Sequence, residues 1–282
     1  MKRYLFSLLL GAALLSSSCY EIPPVINPYD GEPVDTSINI EDQERQVLIE
    51  EFTGVRCVQC PAGSAEIETL LAIHGERLVA VSIHAGDFSP PFPQSLYDFR
   101  TPEGEGLINL LGPPISYPSA VVNRRLFEGE NDLILGRNDW AGFIEVEKAV
   151  PPRVKIGLKA TFNETNRNLD LEVKLYPQEV ISDPDVRISV MLTESNIIDY
   201  QEIPGAGKIP DYVHKHVFRD MLTSYLGDVI SETLAPGTVV TKNYSFTVPT
   251  DWKEADMKAV AFVHLEGAVK DVLQAAETSV VK

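Results

Sequence analysis

Apolar residues follow two patterns along the chain, and the patterns meet at Pro151-Pro152. Before that point the apolar runs are short and continuous. Val47–Thr53 and Leu78–His84 are apolar on both faces, as strands covered on both sides are. Between them Ala65, Ile67, Leu70, Leu71 and His74 recur near helical spacing, after Pro61 and up to Gly75. Strand, helix and strand in this order predict a right-handed parallel unit. Thr101-Pro102-Glu103 reads as a second helix start, running to Gly112. A third strand is expected at Ser119–Arg124, directly after Pro118, with Leu126–Leu135 returning as its hairpin arm. Asn138 then caps a last helix carrying Trp140, Phe143, Ile144 and Val146.

After Pro152 the period becomes two. Val154, Ile156, Leu158, Ala160 and Phe162 alternate with mostly polar residues, and so do Leu169–Leu175, Val186–Leu192, Tyr244–Val248 and Ala259–Leu265. Val272–Val281 is a weaker strand of the same kind. Half-exposed antiparallel strands of this sort build a β-sandwich of immunoglobulin-like architecture. Asn196–Pro236 keeps no regular period and reads as loops, marked by Pro204, Gly205, Gly207 and Pro210. Both Glu50 and Glu51 interrupt the first strand, and its two-residue period sends them to opposite faces, so at least one faces burial.

The N-terminus adds an address. Met1-Lys2-Arg3 is basic, Tyr4–Leu15 is apolar but too short to span a bilayer, and Ser16-Ser17-Ser18 leads to Cys19. That order is similar to a bacterial lipoprotein signal, with residues 1–18 removed and Cys19 lipidated as the membrane anchor. Ser16 stands where the pattern usually has an aliphatic residue, so an ordinary signal peptide is the alternative. Residues 19–45 carry Pro23, Pro24, Pro28 and Pro33 among polar residues and read as a flexible tether, which as a coil spans roughly 25–30 Å. The net charge of −17 argues against a nucleic-acid partner, which needs a basic face. Neither a P-loop nor a dinucleotide glycine fingerprint occurs, and no cofactor is implied.

The chemistry sits at the end of the first strand. Gly54 stops the apolar run, Cys57 and Cys60 follow with two residues between them, and Pro61 leads into the helix. Strand, turn and C-x-x-C at a helix start are the parts of a thioredoxin-like redox site. A helix N-terminus favours a thiolate, and Arg56 adds a positive charge beside Cys57. Cys57 is then the exposed nucleophile and Cys60 the resolving thiol. The alternative is a closed structural disulfide. A zinc site is disfavoured because no second cysteine pair completes four ligands. His214 and His216 would share a face on a strand, but packing without metal is the simpler reading, as is a strand-end role for His84.

Val47–Pro61 resembles the active-site region of thioredoxin-fold proteins, which implies a thioredoxin-like α/β domain over 46–151 followed by the sandwich over 152–282. In that superfamily a buried acid lies six residues before the first cysteine and assists proton transfer to the resolving thiol; here the position is Glu51, followed by Phe52. The resemblance also places a cis-proline opposite the cysteines, whose neighbouring backbone pairs with substrate; Tyr117-Pro118 occupies that place. Arg56 stands where the family has tryptophan, and Val58-Gln59 replaces the usual intervening pair, which leaves the redox direction open. More narrowly, the lipoprotein signal, Glu50–Pro61, Val122-Asn123-Arg124 and the C-terminal β region are similar to the Omp-twenty-eight (Omp28) family of outer-membrane lipoproteins. The sequence thus reads as a lipid-anchored outer-membrane protein exchanging disulfides with envelope proteins, or as a surface binding or assembly lipoprotein with a structural disulfide.

Overall fold

The computed structural model describes residues 40–281. The expected signal peptide, the lipidated Cys19 and most of the expected tether lie outside the described residues. Strand β1 (Val47–Thr53), helix α1 (Cys60–His74) and strand β2 (Leu78–His84) form the parallel unit, in register from Val47 opposite Leu78 to Thr53 opposite His84. Helix α2 (Pro102–Leu111) starts where Thr101 Oγ1 accepts the Gly104 N–H at 2.9 Å, a capping bond that satisfies one orphan donor. Strand β3 (Ser119–Val122) pairs antiparallel with β1, and β4 (Leu135–Gly136) pairs with β3. Helix α3 (Trp140–Lys148) closes this half. The returning arm expected over 126–135 shortens to Leu135–Gly136, because Glu128-Gly129-Glu130-Asn131 is polar and stays exposed.

The strand order here is β2-β1-β3-β4. Ile67 and Leu70 of α1 and Trp140 and Ile144 of α3 cluster with Val47 and Ile49 on one face. Leu107, Ile108 and Leu111 of α2 cluster with Leu48 and Phe52 on the other. Each fully buried aliphatic or aromatic side chain contributes about 1.5–3 kcal/mol.

The second half holds β5 (Val154–Asn163), β6 (Asn168–Pro177), β7 (Val186–Glu194), β8 (Ile197–Ile203), β9 (Gly207–His214), β10 (Val217–Met221), β11 (Asp228–Val229), β12 (Val240–Thr247), β13 (Met257–Leu265) and β14 (Val272–Ser279). The sheet β12-β6-β5 packs its apolar side chains, Leu171 and Val173 among them, against Val190 of β7 and Ala261 of β13. Those are two layers of strands, as the period-two pattern implies. The second layer is not a separate sheet, however. Strand β10 pairs antiparallel with β7 and parallel with β2, at Val217 opposite Ser82. One nine-stranded sheet therefore runs β14-β13-β7-β10-β2-β1-β3-β4, with β11 on β7. The pattern changes at 151/152 but the sheet crosses that point. The reason is that β7 and β13 bury both faces: Val190 and Ala261 look into the strand layers, while Met191 and Phe262 join the α2 cluster. The stretch 196–236, expected as loops, contributes β8, β9, β10 and β11.

Both acids of β1 are buried, on opposite faces. Glu50 shares a face with Leu48 and Phe52, where Arg124 meets it with two bonds, Nε to Oε2 at 2.8 Å and Nη2 to Oε1 at 2.7 Å. The Arg124 guanidinium also lies 4.7 Å over the Phe262 ring of β13. Arg124 reaches this position because Asn123 and Arg124 turn the chain with φ of +48° and +49°. Asparagine tolerates that conformation and arginine does not, so the ion pair offsets the strain. Asn123 Oδ1 accepts the Leu48 N–H at 2.8 Å, and Asn123 O accepts the Val272 N–H at 2.8 Å, so this turn joins both halves. Glu147 completes the seam, accepting from Arg45 at 2.6 Å, Asn123 at 2.7 Å and Arg125 at 2.8 Å.

Removing one partner of a buried, doubly hydrogen-bonded pair leaves an uncompensated charge, so Arg124→Ala is expected to cost about 3–5 kcal/mol in denaturant-induced unfolding. The double variant Glu50→Gln with Arg124→Met is expected to recover most of that loss. An Arg124→Ala midpoint equal to the wild-type midpoint would refute this account of the pair.

Candidate functional site

The site begins where β1 ends. A Cβ added at Gly54 would lie 2.3 Å from the Phe88 carbonyl oxygen, so the chain passes Phe88 only as glycine. The Cys57 N–H donates to Gly54 O at 3.0 Å and the Cys60 N–H to Cys57 O at 3.2 Å, winding the turn into α1. Cys60 is the first residue of that helix and Pro61 sits in its first turn, where no helical hydrogen bond is lost. Cys57 and Cys60 form a disulfide with their Cα atoms 5.3 Å apart.

Cys57 was expected to be exposed and is not: it is 3% exposed, and Cys60 1%. The cover comes from the hairpin β8–β9. The Gln201 carboxamide donates to Cys57 O at 3.0 Å and to Gly54 O at 3.3 Å, and the Glu202 N–H donates to Val55 O at 2.8 Å. Asp199 fastens the same hairpin to the preceding loop by accepting the Leu96 and Tyr97 N–H groups at 3.0 and 2.9 Å.

Glu51 lies beneath α1, fully buried. Its Oε2 accepts the Ser82 hydroxyl at 2.9 Å, while Oε1 has no hydrogen-bond partner. Burial pushes its pKa up to about 8, against the lowering effect of Ser82. Pro118 closes the site, and the Tyr117-Pro118 bond is cis. Gly63 is the hinge of this arrangement. A Cβ there would lie 2.6 Å from Glu51 Oε1 and 2.7 Å from the Pro118 ring, so glycine lets the helix, the acid and the proline meet. Tyr117 donates its hydroxyl to Ala85 O at 3.0 Å and packs edge-on against Phe88 at 5.3 Å, and burial pushes its pKa up to about 12.

Arg56 is not aimed at the disulfide. Its guanidinium donates to Pro90 O at 2.8 Å and Pro91 O at 2.6 Å and lies 5.1 Å over the Phe92 ring. The thiolate-tuning charge expected of it is therefore committed to the 90–92 loop. His214 and His216 separate as well. Strand β9 ends at His214, which meets His84 at 5.7 Å and Phe99 at 4.9 Å, whereas His216 bonds Glu68 at 2.9 Å. Burial holds His84 well below its usual pKa and His214 at about 4, so both are neutral imidazoles. Among the described residues no group of three or more His, Cys, Asp or Glu could hold a metal ion. Ser189 Oγ and His264 Nε2 lie 3.0 Å apart, but both residues are fully buried, so this pair is a satisfied core contact rather than a nucleophile.

Glu51 and Pro118 thus meet at Gly63, one turn past Cys60, and Tyr117 precedes Pro118 across the cis bond. Sequence reasoning missed Ser82, Gly63 and Gln201. Ser82 was within reach, since the parallel register sets it opposite Glu51.

Comparison with known proteins covers most of the chain. HBP35 of Porphyromonas gingivalis superposes with a TM-score of 0.67 at 20% identity, over 85% of this chain and 76% of that one. A structural-genomics protein of Agrobacterium tumefaciens superposes with a TM-score of 0.53 at 14% identity, over 85% of this chain and 97% of that one. Both likenesses are of fold alone. A domain of the outer membrane lipoprotein Omp28 from Porphyromonas gingivalis covers 46% of this chain and 88% of its own length, with 16% identity and a TM-score of 0.32. No curated protein sequence matches. The family model described as outer membrane protein Omp28 matches residues 115–280, a span that takes in Tyr117-Pro118, Val122-Asn123-Arg124 and every strand from β5 to β14, and begins after the cysteine pair. With more than half of its length so matched, the chain belongs to the Omp28 family of outer membrane proteins.

Proposed function

We propose that this outer-membrane protein is a lipoprotein anchored through Cys19, whose Cys57–Cys60 pair exchanges with the thiols or disulfides of other envelope proteins. The observation that carries this reading is the meeting of Glu51 and Pro118 at Gly63, one turn into the helix that Cys60 begins. Strand order β2-β1-β3-β4 with α1 and α3 on one face and α2 on the other supports a thioredoxin-like first half. The two strand layers of the second half support an immunoglobulin-like sandwich that shares the central sheet.

In the reducing direction Cys57 Sγ, as thiolate, attacks a sulfur of the partner's disulfide. That S–S bond breaks and one partner sulfur leaves as thiolate. Cys60 gives its proton to the Glu51 carboxylate and attacks Cys57 Sγ, which breaks the mixed disulfide and releases the partner fully reduced. The reverse sequence oxidises a partner dithiol. Tyr117 and Pro118 line the side from which the partner would approach.

A second reading has its own support. Cys57 is 3% exposed beneath Gln201, which favours a disulfide that acts as a staple under a surface-binding protein. Trapping separates the two. Cys60→Ala in the full chain is expected to accumulate mixed disulfides with envelope proteins, and Cys57→Ala is not. No trapped partner, together with a reduction potential below about −300 mV, would establish the staple. Loss of lipid labelling in Cys19→Ala tests the anchor.

Glu51 gives a pH signature. Its folded pKa of about 8 lies above the usual carboxyl value of 4.5, so between those values the native state holds a proton that the unfolded state has released. Stability is therefore full below the lower value and falls as pH rises through the upper one, by on the order of 5 kcal/mol in total. Glu51→Gln keeps the shape without the charge and is expected to flatten the curve of denaturation midpoint against pH across that window. An unchanged curve would show that Glu51 is not the group responsible.

A further inference from the structure

A groove of about 320 Å³ opens between α1 and the end of β9. Its walls are Ser64, Ala65 and Glu68 of α1 on one side and Tyr212, Lys215 and His216 on the other, and Ser82 of β2 lies at its base. Ser82 is only 4% exposed, yet it is shared between this groove and the buried acid: its hydroxyl bonds Glu51 Oε2 at 2.9 Å. Its backbone N–H donates to His216 O at 2.7 Å, which fixes the groove wall against β2. The groove is roomy enough for water, which needs only about 10–15 Å³ of such volume per molecule.

The redox reading leaves a step open. Glu51 must pass on each proton it takes from Cys60, and it is fully buried, so the proton needs a way out. Glu51 Oε1 lies against Gly63 and Pro118, Oε2 bonds the Ser82 hydroxyl, and Tyr212 is close enough for Glu51 to act on its phenol. Of these Ser82 offers the hydroxyl that is hydrogen-bonded to the acid, and a hydroxyl can accept one proton and release another.

We infer that Ser82 and the α1–β9 groove form the proton path between Glu51 and solvent. With the Ser82 hydroxyl turned from Glu51 to the groove, Glu51 Oε2–H gives its proton to Ser82 Oγ as Ser82 passes its own to a water in the groove; one proton leaves, the hydroxyl is restored, and no electron moves. The ionisable groups along the path come from both halves of the chain. His216 Nε2 bonds Glu68 Oε1 at 2.9 Å, Lys215 pairs with the other Glu68 oxygen, and Tyr212 stands beside Ser64. Lys258 of β13 and Glu277 of β14 pair with each other and also act on His216. Ser82 and the groove residues position and carry a proton and touch neither partner nor sulfur, so the C-terminal half takes a direct part in the redox site.

This inference rests on Glu51 being the proton acceptor of the exchange reading, and its test needs no exchange. The oxidised full chain is jumped from below to above the Glu51 pKa of about 8, and loss of the protonated carboxyl is followed by its infrared carbonyl band, identified by its absence in Glu51→Gln. Ser82→Ala is expected to slow deprotonation roughly tenfold or more, by the scale of acid–base relays. Ser82→Thr, which keeps the hydroxyl, is expected to restore it. Ala65→Trp, at the exposed mouth of the groove, is expected to slow it as well with Ser82 intact. Wild-type speed in Ser82→Ala or in Ala65→Trp, or a Ser82→Thr as slow as Ser82→Ala, would overturn the path. Slow deprotonation in a protein that traps no partner would sink the exchange reading and leave the path standing.

Discussion

Two adjacent carboxylates in one central strand are the constraint around which this molecule is arranged. Burying a charge without a partner costs far more than a hydrophobic contact returns. β1 meets that cost twice, once on each face. On the α2 face Glu50 is met by Arg124 with two hydrogen bonds, and the Phe262 ring lies against the Arg124 guanidinium. On the α1 face Glu51 has one hydroxyl and no cation, and its raised pKa of about 8 keeps it largely protonated at neutral pH instead. The same residue type is thus a structural anion on one side of the strand and an acid in reserve on the other. Environment alone separates them.

The Arg124 solution has a geometric price, two consecutive left-handed residues at the end of β3. Asn123 makes that turn serve a second purpose, because its side chain ties β1 to Glu147 while its carbonyl receives β14. The Arg45 guanidinium extends the seam to the carbonyls of Val272 and Leu273 at 2.7 Å each. The Val122-Asn123-Arg124 motif is therefore a joint between the two halves.

Much of the fold was legible in the sequence, and the parts that were not share a cause. β1, α1, β2 and the alternating strands after Pro152 announce themselves because their apolar period matches their burial. The hairpin β8–β9 inverts that rule. Two of its three buried β8 positions are Asp199 and Gln201, which satisfy backbone groups of the site loops, while Ile197 is buried beside them and Ile198 points outward. A reading by hydrophobicity takes such a segment for a loop. The shared sheet was hidden for another reason: nothing in local pattern tells β10 that its neighbour is β2, more than a hundred residues earlier. Within the site, the cysteines, Glu51 and Pro118 were found by motif. Arg56 was misjudged because adjacency in sequence to Cys57 says nothing about the Pro90 and Pro91 carbonyls that claim its guanidinium.

The hairpin over the disulfide has a consequence in time. Gln201 follows Cys57 by 144 positions, so its two hydrogen bonds to the turn close a very long loop. A chain emerging from its N-terminus presents both cysteines long before that hairpin exists. Long-range contacts also form late, because the entropy of closing the loop must be met first. The sulfurs are therefore open to oxidants during maturation and become secluded only on completion. Whatever pairing they have reached by then is what the finished molecule carries to the membrane.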